Sequence, residues 1–428
     1  MDTNDFLGSF AQENVSFSTQ IVRTSSVGDN YWTVMVFVES DRFVTASEAN
    51  GWEDAPGLPG CKVLVVAADT YAQFTTGLLA SWLYDLFCNG FTGNCILVAP
   101  AASDAPDIVT YIEVEPSGSE NPQQEGWYVS DGSGGYELST DTAVQEGTTY
   151  YEQHTESGFV AAMNDAYDVL KPYAYHKTVC AGGLNKVTPA YAVALATKCA
   201  QDTYLSGAVL LPVTNPNLGS DELYTALQPG GAKTDAFMGW HSDSTRNAAL
   251  YSLGLAMAEI NGSGTSVGNG MDMTASANIT PSNNGVNPTP GQKSALKSAY
   301  VQYFKTVGNN SGNVAAETDK TISGATYAAN WILAYITYMT KVGVAKLLTQ
   351  RNFYKNANNY TKILGVMQSY VGKFGTAGVL ANIQYTAPAY NALPDSASDA
   401  LAIPNAWSAT YVNHLRKVTI TGTLYIGA

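Results

Sequence analysis

The sequence predicts a multidomain α/β (α+β) fold: layered α/β domains, a β-rich insertion and extended strand-forming arms at both ends. Three observations lead there. Strand-like and helix-like stretches alternate from Tyr31 to Ile260, the pattern of a layered domain with a mostly parallel sheet. The stretch from Asp107 to Gln153 breaks that alternation with short apolar runs separated by Gly, Ser and Pro. Both ends carry isolated period-two patterns, the mark of strands with two different faces. At 428 residues the chain is long enough for two or three cores.

In chain order, an acidic start from Asp2 to Glu13 leads into a strand pattern. There Val15, Phe17, Thr19 and Ile21 alternate with Ser16, Ser18, Gln20 and Val22. Tyr31 to Val38 reads as an apolar strand with Trp32, Val34, Val36 and Val38 on one side. After a Gly/Pro turn region from Gly51 to Gly60, Lys62 to Ala67 reads as a buried strand. Thr70 to Phe87 then reads as a helix and Cys95 to Ala99 as a strand. Together these three form one expected β-α-β unit. Within the β-rich stretch, strands are expected near Ile108 to Val114, Gly126 to Val129 and Thr148 to Tyr151.

Ser157 opens a helix with Phe159, Met163, Ala166 and Leu170 on one face, and Thr178 to Cys180 follows as a strand. Thr188 and Pro189 suit an N-cap and first helical position. That helix runs to about Tyr204, before a strand at Ala208 to Leu211. A short helix opens at Ser220 to Glu222, and Ala236 to Trp240 is a strand. Ser244 to Ile260 is a helix burying Leu250, Leu253, Met257 and Ile260. Gly262 to Pro288 reads as a linker and the expected domain junction.

Thr289-Pro290 starts another helix, with Leu296, Tyr300 and Tyr303 inward and Gly308 as its stop. Thr318 to Ser323 reads as a strand. The longest helix is expected from Ala325 to about Arg351, and a further one uses Ile363, Leu364, Met367, Tyr370 and Val371. Gln384 to Ala409, rich in Pro, Ala, Ser and Asn, reads as an extended connector. Beyond it, Val418, Ile420, Leu424 and Ile426 face one way while Thr419, Thr421, Thr423 and Tyr425 face the other. Unpaired strand backbone is costly. Such an arm is expected to join the protein's own sheet or, by strand addition, the sheet edge of a neighbouring copy.

Only 13% of residues are charged, about half the usual ~25%, and Ser, Thr, Asn, Gly and Tyr fill the gap. Such a neutral, polar surface suits extensive protein contact. The net charge of −15 argues against a nucleic-acid partner. Up to Glu156 there are 23 acidic residues against Arg23, Arg42 and Lys62; from Lys293 onward, 12 basic face Glu317, Asp319, Asp395 and Asp399. Opposite charge on the two halves would attract, within one subunit or between copies. The five cysteines form no C-x-x-C pair and the acidic start is no secretory signal, so reduced thiols are expected. The most apolar run, Tyr327 to Met339, is too short to span a membrane.

No catalytic constellation outweighs its simpler explanation. Trp240-His241-Ser242-Asp243 holds the letters of a hydrolase triad, but sequence neighbours do not assemble that geometry and no Gly-x-Ser-x-Gly elbow exists. A strand end followed by a helix cap explains it better. His176 and Cys180 have no third partner for a nucleophile or a metal, and a buried thiol beside a partly exposed imidazole is expected. Gly132 to Gly135 and Gly262 to Gly270 match no nucleotide fingerprint. Tyr327, Tyr335 and Tyr338 on the long helix suit an interface better than a carbohydrate strip. No cofactor and no metal are expected.

The last 200 residues resemble contractile phage tail sheath proteins. The resemblance rests on the strand end Phe237-Met238-Gly239-Trp240-His241, the helix with Ala248-Ala249-Leu250, and Thr289 to Leu296 with its Tyr303-Phe304 end. Thr321-Ile322-Ser323-Gly324 running into Trp331-Ile332-Leu333, and the closing β arm, complete it. Residues 100–235 resemble the family only in architecture. Relatives often carry an acidic residue just before the long helix's Trp, where this chain has Asn330.

The resemblance implies an N-terminal arm at 1–25, an inner domain from 26–50 and 289–410, and an outer domain at 51–288 with an insertion at 106–156. A C-terminal arm at 411–428 completes the set. It implies stacked hexameric rings around a tail tube, with neighbouring subunits, tube, baseplate and tail terminator proteins as partners and no nucleic acid or membrane. The site residues would be the arm positions above and the basic contacts Lys346, Arg351 and Lys355. Location would be the virion tail, after assembly in the host cytoplasm. A non-contractile tube or virion surface protein, and an α/β hydrolase-like enzyme, are the alternatives.

Overall fold

The computed structural model describes residues 33–43, 51–55, 57–117, 119–183, 186–201, 209–227, 236–263, 275–276, 278–307, 310–317, 320–324, 326–350, 353–393 and 406–412. Both arm patterns, Val15 to Ile21 and Val418 to Ile426, lie outside the described residues, as does Arg351.

One ten-stranded sheet organises the chain. Its strands are β1 (Thr33–Phe37), β2 (Glu53–Asp54), β3 (Lys62–Val66), β4 (Asn94–Ala99), β9 (His176–Val179), β10 (Val209–Val213), β11 (Ala236–Trp240), β12 (Ala275–Ser276), β13 (Gln302–Val307) and β14 (Asn310–Glu317). Their order is β12-β14-β13-β11-β10-β9-β1-β4-β3-β2. From β4 through β1, β9, β10 and β11 to β13 the pairing is parallel. Every residue of β1, β9, β10 and β11 is buried. Parallel strands covered on both faces read as continuous apolar runs such as Val209-Leu-Leu-Pro-Val213.

Helices cover both faces: α1 (Gly77–Phe87), α2 (Gly158–Leu170), α3 (Pro189–Gln201), α4 (Glu222–Leu227), α5 (Ala248–Ser263) and α6 (Pro290–Ser298). Close approach explains two glycines. A Cβ on Gly239 would lie 2.7 Å from the Ala249 nitrogen, where α5 starts over β11, and one on Gly254 would lie 2.2 Å from the Leu86 carbonyl, where α5 crosses α1.

Several expectations change. β3, α1 and β4 are not a parallel β-α-β unit, because β3 pairs antiparallel with β4. The helix expected from Thr70 is a 3-10 turn at Tyr71–Gln73 followed by α1. The helix from Thr289 does not reach Gly308. Its capping box is present, Thr289 and Gln292 bonding each other's backbone at 3.3 and 2.8 Å, but Tyr300 takes a left-handed φ of 58° and β13 follows. Tyr303 is thus a strand residue. The strand expected at Thr318 to Ser323 is instead β14, ending at Glu317, with a turn from Thr321 to Gly324. Within the linker of 262–288, Ser282 fastens two strands: its Oγ donates to the Trp240 carbonyl and accepts from the Phe304 N–H, both at 2.8 Å.

One sheet therefore draws its strands from both sides of the 106–156 stretch, between 33 and 317. β1 and β13–β14 share it with the strands of 51–288, so the boundaries at 50 and 289 do not divide the sheet.

Two smaller layers complete the fold. Residues 108–156 form a separate antiparallel sheet, order β5-β8-β6-β7, from β5 (Ile108–Val114), β6 (Tyr128–Ser130), β7 (Tyr136–Leu138) and β8 (Tyr150–Glu156). At the far end, α7 (Tyr327–Leu348) and α8 (Ala357–Thr376) pack together over a hairpin of β15 (Leu380–Tyr385) and β16 (Trp407–Tyr411). Trp331, Ile336, Met367, Val371, Phe374 and Leu380 lead this second core. The stretch expected as an extended connector thus contains a β strand and a 3-10 turn at Tyr390–Ala392.

Candidate assembly surfaces

The residues weighed for chemistry are used for structure. His241 Nδ1 accepts from the Asp243 N–H at 3.1 Å, so its Nε2–H faces Thr280 Oγ1 at 3.3 Å, and burial lowers its pKa. Ser242 Oγ accepts from Asn284 N–H at 2.8 Å, and Asp243 accepts from the backbone and hydroxyl of Thr245 at 3.0 and 2.7 Å. Each side chain of the sequence triad holds its own loop, and none addresses another as nucleophile and base.

His176 is wholly buried rather than partly exposed, because β9 sits between β1 and β10 in mid-sheet. Burial, with Lys177 next to it, holds its pKa well below the usual imidazole value, so it is neutral. Burial raises the thiols too: Cys61 and Cys88 to about 12, and Cys95 and Cys180 upward as well. None of the five cysteines is in a disulfide. Among the described residues no group of His, Cys, Asp and Glu is arranged to hold a metal ion, and no helix is long and apolar enough to cross a membrane.

Tyr327 and Tyr335 are buried, Tyr327 in the main core and Tyr335, stacked on Trp331 at 5.2 Å, in the second, so they present no strip to a ligand. The sequence reading missed the aromatic surface that does exist, on the insertion sheet. The alternation of Tyr111, Tyr128, Tyr136 and Tyr151 within short strand patterns was its available signal.

The β15–β16 hairpin is the first open surface. Its ladder runs from Leu380↔Tyr411 to Tyr385↔Trp407, with an irregularity between Ala381 and Gln384 where Asn382 takes φ 52°. Backbone bonds from Val412 to Val379 and from Thr386 to Ala406 extend it at both ends. No other described strand pairs with either edge. By contrast, among the described residues the large sheet ends on two short strands, β2 and β12. Short edges offer little to an incoming strand. β16 ends at Tyr411, close in sequence to the arm pattern beginning at Lys417.

The second surface is basic. Between 321 and 394 there are six Lys and Arg and no acidic residue, so that stretch carries uniformly positive charge. Lys346, near the end of α7, and Lys355, before α8, are exposed. The structure thus places both near the turn that joins α7 to α8, with Arg351 between them in sequence.

The third surface is the insertion sheet, where Ile108, Val109, Ile112, Tyr136 and Leu138 are exposed.

No family model matches the sequence, and no curated protein matches it. Among solved structures, a chain in the cryo-EM structure of the anti-feeding prophage (AFP) baseplate is similar over 96% of this chain and 99% of its own, at 11% identity with a TM-score of 0.55. The sheath tail protein Lin1278 from Listeria innocua aligns over 96% of this chain and 98% of its own, at 10% identity with a TM-score of 0.44. At 11% identity the likeness is one of fold: along nearly its whole length, this multidomain α/β chain is built as that baseplate chain is.

Proposed function

We propose that this chain is a structural subunit of a contractile tail sheath. It would polymerise as stacked hexameric rings around a tail tube and contract to drive that tube through a host envelope. The observation that carries the reading is the β15–β16 hairpin, whose two edges no other described strand covers, whereas the described main sheet ends on the short strands β2 and β12. Two strands alone are marginal in water. A ladder of about eight hydrogen bonds at about 0.5–1.5 kcal/mol each would hold an added strand by several kcal/mol before ordering costs.

The donors in this reading are the arms of neighbouring copies, through Val15, Phe17, Thr19 and Ile21 at one end and Val418, Ile420, Leu424 and Ile426 at the other. Two arms per subunit, repeated around a ring, give the lattice more strength than any one contact. Residues 26–50 and 289–410 face the tube and neighbours, with Lys346, Arg351 and Lys355 as contacts; residues 51–288 face outward. Tube, baseplate and tail terminator proteins are the other partners. Assembly takes place in the host cytoplasm and the product is part of the virion tail. No cofactor, nucleic acid, membrane or catalytic step belongs to this reading.

The fold shared with an AFP baseplate chain supports the tail assignment, and its length match favours a second reading, a subunit of the plate at the tail's end. Negative-stain microscopy of the purified protein tests both. Wide hollow cylinders support the sheath, closed rings that do not stack support the plate, and single particles at all concentrations exclude both.

A further inference from the structure

The insertion sheet gathers four tyrosine rings on one face. Pairing of Tyr151 with both Glu113 and Tyr128, of Tyr128 with Leu138 and of Ser130 with Tyr136 fixes which residues share that face. Tyr111 stacks on Tyr136 at 4.0 Å between centroids, while Tyr128 and Tyr151 meet those rings edge-on at 5.1 and 4.8 Å. Val109 and Leu138 flank them, 45% and 54% exposed. Neither the main core nor the second one includes any of these residues. Rings already packed on one another lose little freedom on docking, and tyrosine is enriched at the centres of protein interfaces.

Charge indicates what covers this face. From 63 to 170 the chain has 16 acidic residues and no Lys or Arg, and Glu113 lies on the tyrosine face itself. From 273 to 394 it has ten Lys and Arg against Glu317 and Asp319. Among the described residues, Lys346, Lys355, Lys362 and Lys373 form no ion pair. A homotypic contact of two insertion faces would set like charges together, whereas the basic half of the chain complements them.

We propose that the tyrosine face of the insertion docks on the basic half, residues 293–373, of a second copy in the assembly. This rests on the self-assembling reading above and names a contact that strand exchange does not require. Apolar rings supply the desolvated centre and the opposite charges set orientation and salt sensitivity.

The test mixes isotope-labelled and unlabelled subunits, assembles them, and joins carboxylates to lysines with a zero-length carbodiimide. Mixed-isotope links from Glu113, which shares the tyrosine face, to lysines between 293 and 373 are expected. The exposed-site variant Glu113→Lys/Leu138→Arg should keep its circular dichroism and need about tenfold more protein to assemble. Wild-type assemblies whose insertion links only within its own copy overturn the proposal. So does a variant that assembles at an unchanged concentration, including one that instead loses binding to immobilised lipopolysaccharide, which would mark a glycan site. A wild type that never assembles fails at the earlier step and sinks the sheath reading together with this one.

Discussion

Asp85 on α1 and Arg246, two residues before α5, form an ion pair whose carboxylate is wholly buried. The guanidinium bonds Asp85 Oδ1, Oδ2 accepts from the Asn247 N–H at 2.8 Å, and Asn247 Oδ1 in turn accepts from Leu250 N–H at 3.1 Å. Arg246 also lies over the rings of Tyr84 and Tyr251, at 5.6 and 5.8 Å. One carboxylate thereby fixes where α5 begins and how it meets α1. Removing one partner of a buried pair leaves the other uncompensated. Asp85→Ala is expected to lower unfolding free energy by about 3 kcal/mol in urea titrations, and a double-mutant cycle with Arg246 should show strong coupling.

The same carboxyl predicts a pH dependence. Burial raises it to about 6, against the pull of Arg246 and the Asn247 N–H. Its unfolded value is near 3.9, so the folded protein takes up this proton first. Its contribution to stability is therefore full below about pH 4 and falls away as pH rises through about 6. Asp85→Asn should remove that slope between pH 4 and 6. A wild-type and variant pair with parallel stability curves across that window would refute the assignment.

Ser282 predicts the cost of loosening the sheet at β11 and β13. Its hydroxyl is shared between the Trp240 carbonyl and the Phe304 N–H inside the fold. Ser282→Ala leaves both without that partner, and unsatisfied buried groups cost about 1–3 kcal/mol. Amide exchange at Phe304 should speed up more than at Phe37 on the far side of the sheet. Gly254→Ala tests the α1–α5 crossing by the opposite route, overpacking. A methyl 2.2 Å from the Leu86 carbonyl must push the helices apart, at about 1–3 kcal/mol or more.

Such staples show what local pattern reveals and what it hides. Strands buried on both faces were legible: Ala236–Trp240 is where the apolar run places it, and Ser157 and Thr289 mark helix starts that exist. The fold shared with the AFP baseplate chain also agrees with the family resemblance seen in the last 200 residues. β14 was hidden because Asn310-Ser-Gly-Asn reads as a turn, and only its ladder with β13 makes it a strand. Tyr300 to Tyr303 kept an apolar spacing that suits a helix, but a left-handed Tyr300 ended the helix first. β15 and β16 were hidden by the Pro- and Ala-rich stretch between them, so the hairpin on which assembly is proposed to depend was invisible as a pair. The arm positions are legible in sequence alone, since they lie outside the described residues.

The hairpin makes the C-terminal arm testable by removal. If Val418 to Ile426 adds to a neighbour's β15–β16, deleting 417–428 takes away one whole ladder while leaving both described cores intact. The truncated protein should then melt like the full chain as a single subunit, yet fail to form higher assemblies in sedimentation and by microscopy. A separate peptide of 417–428, added in excess, should occupy the vacated edges and shift hairpin amides such as those of Ala381 and Thr410. Normal polymerisation of the truncated chain would end the strand-addition reading.

The basic turn between α7 and α8 yields the last prediction. Lys346 and Lys355 are exposed and have no acidic neighbour between 321 and 394 in sequence. Attraction across a surface of this kind weakens as salt shortens the screening length to about 8 Å at physiological strength. Reversing them together, Lys346→Glu/Lys355→Glu, should leave the melting temperature nearly unchanged, because exposed charges contribute about 0–1 kcal/mol each. Assembly should respond instead: the variant should need more protein, and the wild type's loss of assembly between low and high salt should flatten. Adding Arg351→Glu should deepen both effects if that residue shares the contact. Unchanged assembly with unchanged salt dependence would free this surface from any role in the lattice and leave strand exchange to hold it alone.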